Sequence, residues 1–240
     1  LLQRVLSSTP TQGSSPKKDE VITAVVSSPQ FDLFSQSSTS VVVAEKNNNF
    51  ELIDSAEKLD KLISEIKKTG QFAFQIITDT KEALNTKIAG FSFSYSNDNG
   101  FYIPFENEII SSLKSLFEDP FIHKIGYDLK FAIKVLSKQG IQTKGSLFDV
   151  EIAHYLLHPD MRHALDIISD NYLNKIMIEE QLVVGKGKAK LEFSSLDKQV
   201  ITDFAAEKSS VIFKLSTIFE KEMKEFGIWN LFTTIEMPLT

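Results

Sequence analysis

Phe72-Ala73-Phe74-Gln75-Ile76-Ile77 is the stretch on which the fold turns. It is short, aromatic and β-branched, follows Gly70 and has no helical period, so it predicts a buried strand. Working outward, Ile88 to Tyr95 alternates as a strand does, with Phe91 and Phe93 on one side and serines between them. Phe91 and Phe93 are therefore expected in the core. Phe101 to Phe105 predicts a further strand, and Asn97-Asp98-Asn99-Gly100 supplies the turn between the last two. The three together predict an antiparallel meander.

On the N-terminal side, Phe50-Glu51-Leu52-Ile53 reads as a strand. Asp54 stands three residues before Glu57, a capping-box spacing, and Leu59, Leu62, Ile63 and Ile66 follow at helical intervals up to Gly70. On the C-terminal side, helix and strand alternate: helix over 109–117, strand over 121–125, helix over 128–139 closed by Gly140, short strand over 146–149, helix over 150–157 stopped by Pro159. Such alternation extends a sheet in parallel. The remainder predicts helices over about 164–173 and 196–225, separated by the flexible basic loop Gly185-Lys186-Gly187-Lys188-Ala189-Lys190. The fold class is α/β, with a mixed central sheet flanked by helices.

Residues 1–49 differ in kind. Ser7-Ser8-Thr9-Pro10, Gly13-Ser14-Ser15-Pro16 and Ser35-Gln36-Ser37-Ser38-Thr39-Ser40 are polar and aperiodic, the composition of a linker. Within it, Leu1 to Leu6 reads as the tail of a preceding helix, and Val41-Val42-Val43 as a short strand or a docked segment.

Composition narrows the function. The 240 residues carry a net charge of −6, and a domain that grips DNA by its own surface is usually basic. Strong independent DNA binding is therefore not expected, although a neighbouring DNA-binding domain could hold such a module near DNA. There is no Cys, which excludes disulfides and thiolate metal sites and suits a reducing cytoplasm. No apolar run is long enough to span a membrane, and no signal peptide opens the chain.

Several local words occur in an order that resembles the proofreading 3′→5′ exonuclease domain of the bacterial DNA polymerase I family, a ribonuclease H-like fold. They are Phe72-Ala73-Phe74, Gly90-Phe91-Ser92-Phe93, Tyr102-Ile103-Pro104, Lys124-Ile125-Gly126 with Leu129-Lys130, Phe148-Asp149, Gly185-Lys186-Gly187-Lys188, Phe204-Ala205-Ala206-Glu207 and Ile235-Glu236-Met237-Pro238-Leu239. The resemblance implies a linker following a 5′-nuclease region over 1–49, the exonuclease-like domain over 50–227, and a junction to a polymerase domain over 228–240. It implies a part in DNA replication and repair, a cytoplasmic monomer, and two partners: the polymerase domain of the same chain, and DNA through the full-length protein.

The family hydrolyses the terminal phosphodiester with two divalent metals about 4 Å apart. Such ions need carboxylate oxygens in fixed geometry. The resemblance implies an Asp-x-Glu on the first strand, an Asp in the second motif and a Tyr-x-x-x-Asp in the third. At those positions this chain has Gln75, Ile77, Ala132, Phe204 and Lys208. No catalytic residue and no metal ligand of the family set is retained, so a domain without 3′→5′ exonuclease activity and without a metal cofactor is expected. The alternative is an active nuclease that uses displaced acids, with Asp79, Asp128, Asp203 and Glu207 as candidates. Asp79 would share the strand face of Ile77, and Asp128 lies one helical turn before Ala132. A weak single-strand-binding module is a third reading.

Other features have plain readings. His154 and His158 have a zinc-compatible spacing, but no third ligand is evident and a surface or packing role is expected. Lys186 and Lys188 are candidate phosphate contacts or solvated loop residues. Asp149 is expected to cap the helix that follows it. Ile228-Trp229-Asn230-Leu231-Phe232 is the expected docking segment for the polymerase body.

Overall fold

A computed structural model describes residues 49–240 apart from 81, 84, 107, 188 and 189. The expected linker up to residue 48, including Val41–Val43, and Lys188 lie outside the described residues.

Six strands form one sheet in the order β1-β4-β3-β2-β5-β6. They are β1 (Asn49–Leu52), β2 (Gln71–Thr78), β3 (Ile88–Ser94), β4 (Asn99–Pro104), β5 (His123–Gly126) and β6 (Leu147–Asp149). The meander is there: β2 pairs antiparallel with β3, and β3 with β4. The parallel extension is there too, β5 beside β2 and β6 beside β5. The parallel pairing of β1 with β4 was not expected, and makes β1 the sheet's other edge.

Helices α1 (Ala56–Thr69), α2 (Ile109–Phe117) and α3 (Leu129–Lys138) join the strands in sequence. The expected cap is off by one residue. Ser55, in extended backbone, accepts from the Lys58 N–H, while Asp54 pairs with the Lys58 ammonium at 2.9 Å. Gly70 ends α1 at φ +69°, a conformation that would strain any residue with a Cβ. Helices α4 (Val150–Leu157), α5 (Leu165–Leu173), the short α6 (Glu180–Val184) and α7 (Lys198–Glu225) follow. The basic stretch after residue 184 was foreseen; the helix α6 before it was not.

The two faces of the sheet are built from different residue types. On one face Phe72, Phe74, Phe91 and Phe93 are fully buried and pack with Phe117 of α2 and residues of α1 and α3. Most of their rings meet edge-on or tilted, Phe74 to Phe117 at 4.8 Å and Phe72 to Phe93 at 5.5 Å, while Phe91 and Phe93 are stacked. The other face carries Ala73, Ser92 and Ser94, all buried, and receives the 28-residue α7. Small side chains let that helix come close: a Cβ on Gly100 of β4 would stand 2.5 Å from the Ala206 carbonyl oxygen. Ser209 and Ser210 of α7 are buried as well.

One corner is held by a buried cation. Lys124 of β5 is inaccessible to solvent, and its Nζ donates to the carbonyl oxygens of Ile122 (2.8 Å), Lys144 (2.6 Å) and Asp119. Burial pulls its pKa down to about 8, and three converging carbonyl dipoles favour keeping the proton. The ammonium thereby ties together the start of β5, the preceding turn and the segment before β6.

The C-terminal segment packs differently from expectation. Phe232 is fully buried against Phe148 (4.9 Å between rings), and Trp229 lies beside both. Their apolar surface is used within this domain, which corrects their assignment to an external docking surface. Phe226, Leu231, Ile235 and Leu239 are the exposed large apolar residues of this region.

Candidate functional site

The positions that would carry chemistry lie at the C-terminal end of β2 and along the facing side of α7. Alternation along β2 sends Ala73, Gln75 and Ile77 toward the face opposite Phe72, Phe74 and Ile76. Ile77, Phe204 and Ala205 belong to one buried cluster, with Ala89, Tyr102, Val184, Phe193 and Ile201. Phe193 stacks on Phe204 at 5.5 Å and 19° between planes. The Lys208 ammonium sits over the other partner of that stack, 4.6 Å from the Phe204 centroid, a cation–π arrangement.

Gln75 is half-buried, and its Oε1 has no hydrogen-bond partner. The Ser92 hydroxyl reaches only the backbone carbonyl of Gln75, at 3.5 Å. Ala132 is buried with the aromatic cluster of the opposite face. The structure thus brings Ile77, Phe204 and Lys208 together and leaves Ala132 elsewhere.

The four acids considered as substitutes each have other partners. The strand does not continue to Asp79: its register shifts between Ile77 and Thr78, and β2 ends at Thr78. Asp79 Oδ1 instead accepts the Phe193 N–H at 2.9 Å, which fastens Phe193 over the end of the strand. Asp128 is not on the helix with Ala132. It caps α3 from outside at φ +53°, accepting from the Phe131 N–H. Asp203 accepts from the Gln199 amide at 2.8 Å. Glu207 is buried, accepts the Ile178 N–H at 2.7 Å and pairs with Lys175 at 3.1 Å.

A pair of divalent cations needs several carboxylates converging on one point. Among the described residues, no three His, Asp or Glu side chains are arranged to hold a metal ion. Around Ile77 and Phe204 the surroundings are hydrocarbon, amide and an ammonium, with the single carboxylate of Asp79 committed to the Phe193 N–H. Those residues do not fit a two-metal centre, and no reaction step can be derived through one.

Lys186 is exposed just beyond α6, and Lys190 pairs with Glu180 at 2.9 Å. Asp149 caps as expected and does more. Its Oδ1 accepts from the Glu151 N–H at the start of α4, and its Oδ2 from the Leu129 N–H at the start of α3. The residues that sequence reasoning missed are Phe193, Val184 and Ile201, which close the cluster, and the Glu207–Lys175 pair. Phe193 follows Leu191-Glu192 in an aperiodic stretch, so no local signal marks it as core.

Known proteins resemble this geometry. A family profile described as 3′-5′ exonuclease matches residues 50–224. DNA polymerase I of Borreliella burgdorferi is 30% identical over 203 residues, covering 80% of this chain and 22% of the relative's length. The chain therefore spans about a fifth of that protein. Among solved structures, the catalytic core of RRP6 from Trypanosoma brucei matches with TM-score 0.64 and 14% identity, over 81% of this chain and 54% of that one. The POL domain of Pol1 from M. smegmatis, in complex with DNA primer-template and dNTP, matches with TM-score 0.63 and 19% identity, over 78% and 30%. At those identities the likeness establishes the ribonuclease H-like fold. Among the described residues, no helix is long and apolar enough to cross a membrane.

Proposed function

The chain belongs to the 3′-5′ exonuclease family of A-type DNA polymerases, and from that premise we propose that it is a member without nuclease activity, kept as a structural module of a bacterial DNA polymerase I. One observation carries the reading. Ile77 and Phe204, at two positions of the family's catalytic set, are buried in an apolar cluster that Phe193 and Val184 complete. A buried hydrocarbon contact supplies none of the charge a pair of divalent ions requires, and it stabilises the very corner an open cleft would weaken.

In this proposal the domain acts in the cytoplasm, beside a polymerase domain of the same chain. It contributes to replication and repair by bracing that domain and spacing it from a 5′-nuclease region across residues 1–49. Contact with DNA comes through the whole protein, which fits the acidic charge of this part.

The test is direct. Purified protein is incubated with a 5′-labelled single-stranded oligonucleotide and magnesium or manganese. The expected outcome is a full-length oligonucleotide at all times. Progressive shortening from the 3′ end that EDTA abolishes would overturn the proposal in favour of displaced acids. Fluorescence anisotropy of the same oligonucleotide across a salt titration checks the remaining alternative. A purely structural module shows no saturable binding, whereas a single-strand-binding module shows binding that weakens as salt rises.

A further inference from the structure

Three of the protein's four histidines fall within ten residues, at 154, 158 and 163, and the fold gathers them around one buried ring. His154 of α4 is inaccessible to solvent. Its Nδ1 lies 2.8 Å from the Nδ1 of His163, which sits in the turn between α4 and α5. Its Nε2 is buried with no hydrogen-bond partner. Its ring also lies beside His158 just past the end of α4 (5.5 Å), Tyr172 on α5 (5.8 Å) and Phe219 on α7 (5.6 Å). One imidazole thus joins α4, the turn, α5 and α7.

The proton positions follow from this geometry. A hydrogen bond between two Nδ1 atoms needs one N–H and one bare nitrogen. A buried N–H without an acceptor is rarer in folded proteins than an unpaired acceptor. The consistent assignment gives His154 the Nδ1 proton and a bare Nε2, and makes the half-buried His163 the acceptor. His154 cannot then take a second proton without loss, because at Nε2 it would put an unpaired cationic N–H among Phe219 and Tyr172.

We propose that the His154–His163 pair is an acid-released latch that holds the α4–α5 turn and α5 against α4 and α7. The groups facing His154 leave it without a counter-charge. His158 at the end of its helix and His163 on the turn carry its own sign when protonated, the α5 contact is the Tyr172 hydroxyphenyl, and the α7 contact is the apolar Phe219. Glu222 of α7 acts on Tyr172. Tyr155 of α4 stacks edge-on against His163. Burial and the neighbouring imidazoles together hold His154 down to about 4.

What the latch holds extends toward the closed corner. The chain leaving α5 runs through Lys175 and Ile178, the two residues Glu207 clamps, into α6 and Phe193. Releasing α5 frees the run that carries Lys175, Ile178 and, beyond α6, Phe193.

The test uses the whole 15N-labelled chain. Long-range 1H–15N spectra at pH 7.5 are expected to show His154 as the Nδ1–H tautomer, titrating well below the usual histidine range. Amide exchange, corrected for intrinsic rates, should accelerate over residues 158–178 as pH falls from 6.5 toward 4, by up to about tenfold per unit. Protection in β2 and β3 should fall less over that interval. His154→Phe should flatten the response by removing the titrating ring. His163→Asn, which keeps an acceptor that does not titrate, serves as the second variant and should flatten it in part. Equal pH responses in wild type and both variants would refute the latch, as would His154 titrating near its ordinary value.

Discussion

The two faces of the central sheet make opposite demands on their residues. The face toward α1, α2 and α3 is an interlock of phenylalanine rings, where each side chain fills space its neighbours define. The face toward α7 is lined by alanine, serine and glycine, so that a helix backbone can approach. At its end near the β2 terminus this second face changes again, and Ile77 and Phe204 fill positions that family resemblance assigns to chemistry. A face that seats a helix through small residues has little packing of its own to lose. There Phe193, anchored by Asp79, stacks on Phe204 and closes that end.

Substitutions can break or sharpen that contrast. The largest effect is expected on the aromatic face. Phe72→Ala removes a fully buried ring from a cluster with no room to collapse, and should lower unfolding free energy by about 4 kcal/mol in urea titrations. Next comes Ile77→Glu, which restores a family carboxylate. In a solvated cleft it would change stability by less than about 0.5 kcal/mol. In the closed cluster it should destabilise by about 3 kcal/mol, because a carboxyl replaces hydrocarbon without a partner.

A smaller, pH-dependent effect separates two buried groups, Asp149 at the starts of α3 and α4 and His154 beside α7. Burial pushes Asp149 up to about 6 and His154 down to about 4. Between these values the unfolded chain has lost the Asp149 proton that the native state keeps, so this residue makes stability fall as pH rises. The unfolded chain carries a proton on His154 that the native state refuses, so this residue makes stability rise with pH. The two slopes oppose each other, each up to about 1.4 kcal/mol per pH unit. Urea melts from pH 4 to 6 should therefore show a steeper rise with pH in Asp149→Asn than in wild type, and a shallower or falling trend in His154→Phe. The smallest effect is expected at Lys186→Ala, an exposed loop position, with less than about 0.5 kcal/mol on stability.

Much of this was legible in the sequence because it is local. Alternating phenylalanines and serines in Ile88 to Tyr95 gave strand, face and core at once, and the helix over 109–117 came out with its observed bounds. The cap at Asp54 misled because the preceding Ile53 was still read as strand; Ser55 adopts the extended backbone a cap needs, and Asp54 is left for Lys58. The residues at the family's motif positions were readable one by one, but what packs around them was not. Phe193 meets Phe204 across an irregular segment, and Asp79 reaches Phe193 from 114 residues away, a separation no periodicity records. The parallel pairing of β1 with β4 and the inward turn of Trp229 and Phe232 are long-range choices of the same kind.

The lysine at the start of β5 has a practical corollary. Its amine is enclosed by peptide oxygens and shut off from solvent, so an acylating reagent can reach it only when that corner of the molecule opens. Under conditions where surface amines react at once, the slow appearance of label at residue 124 is a clock for the opening of this edge of the sheet, readable by mass spectrometry without any engineered probe.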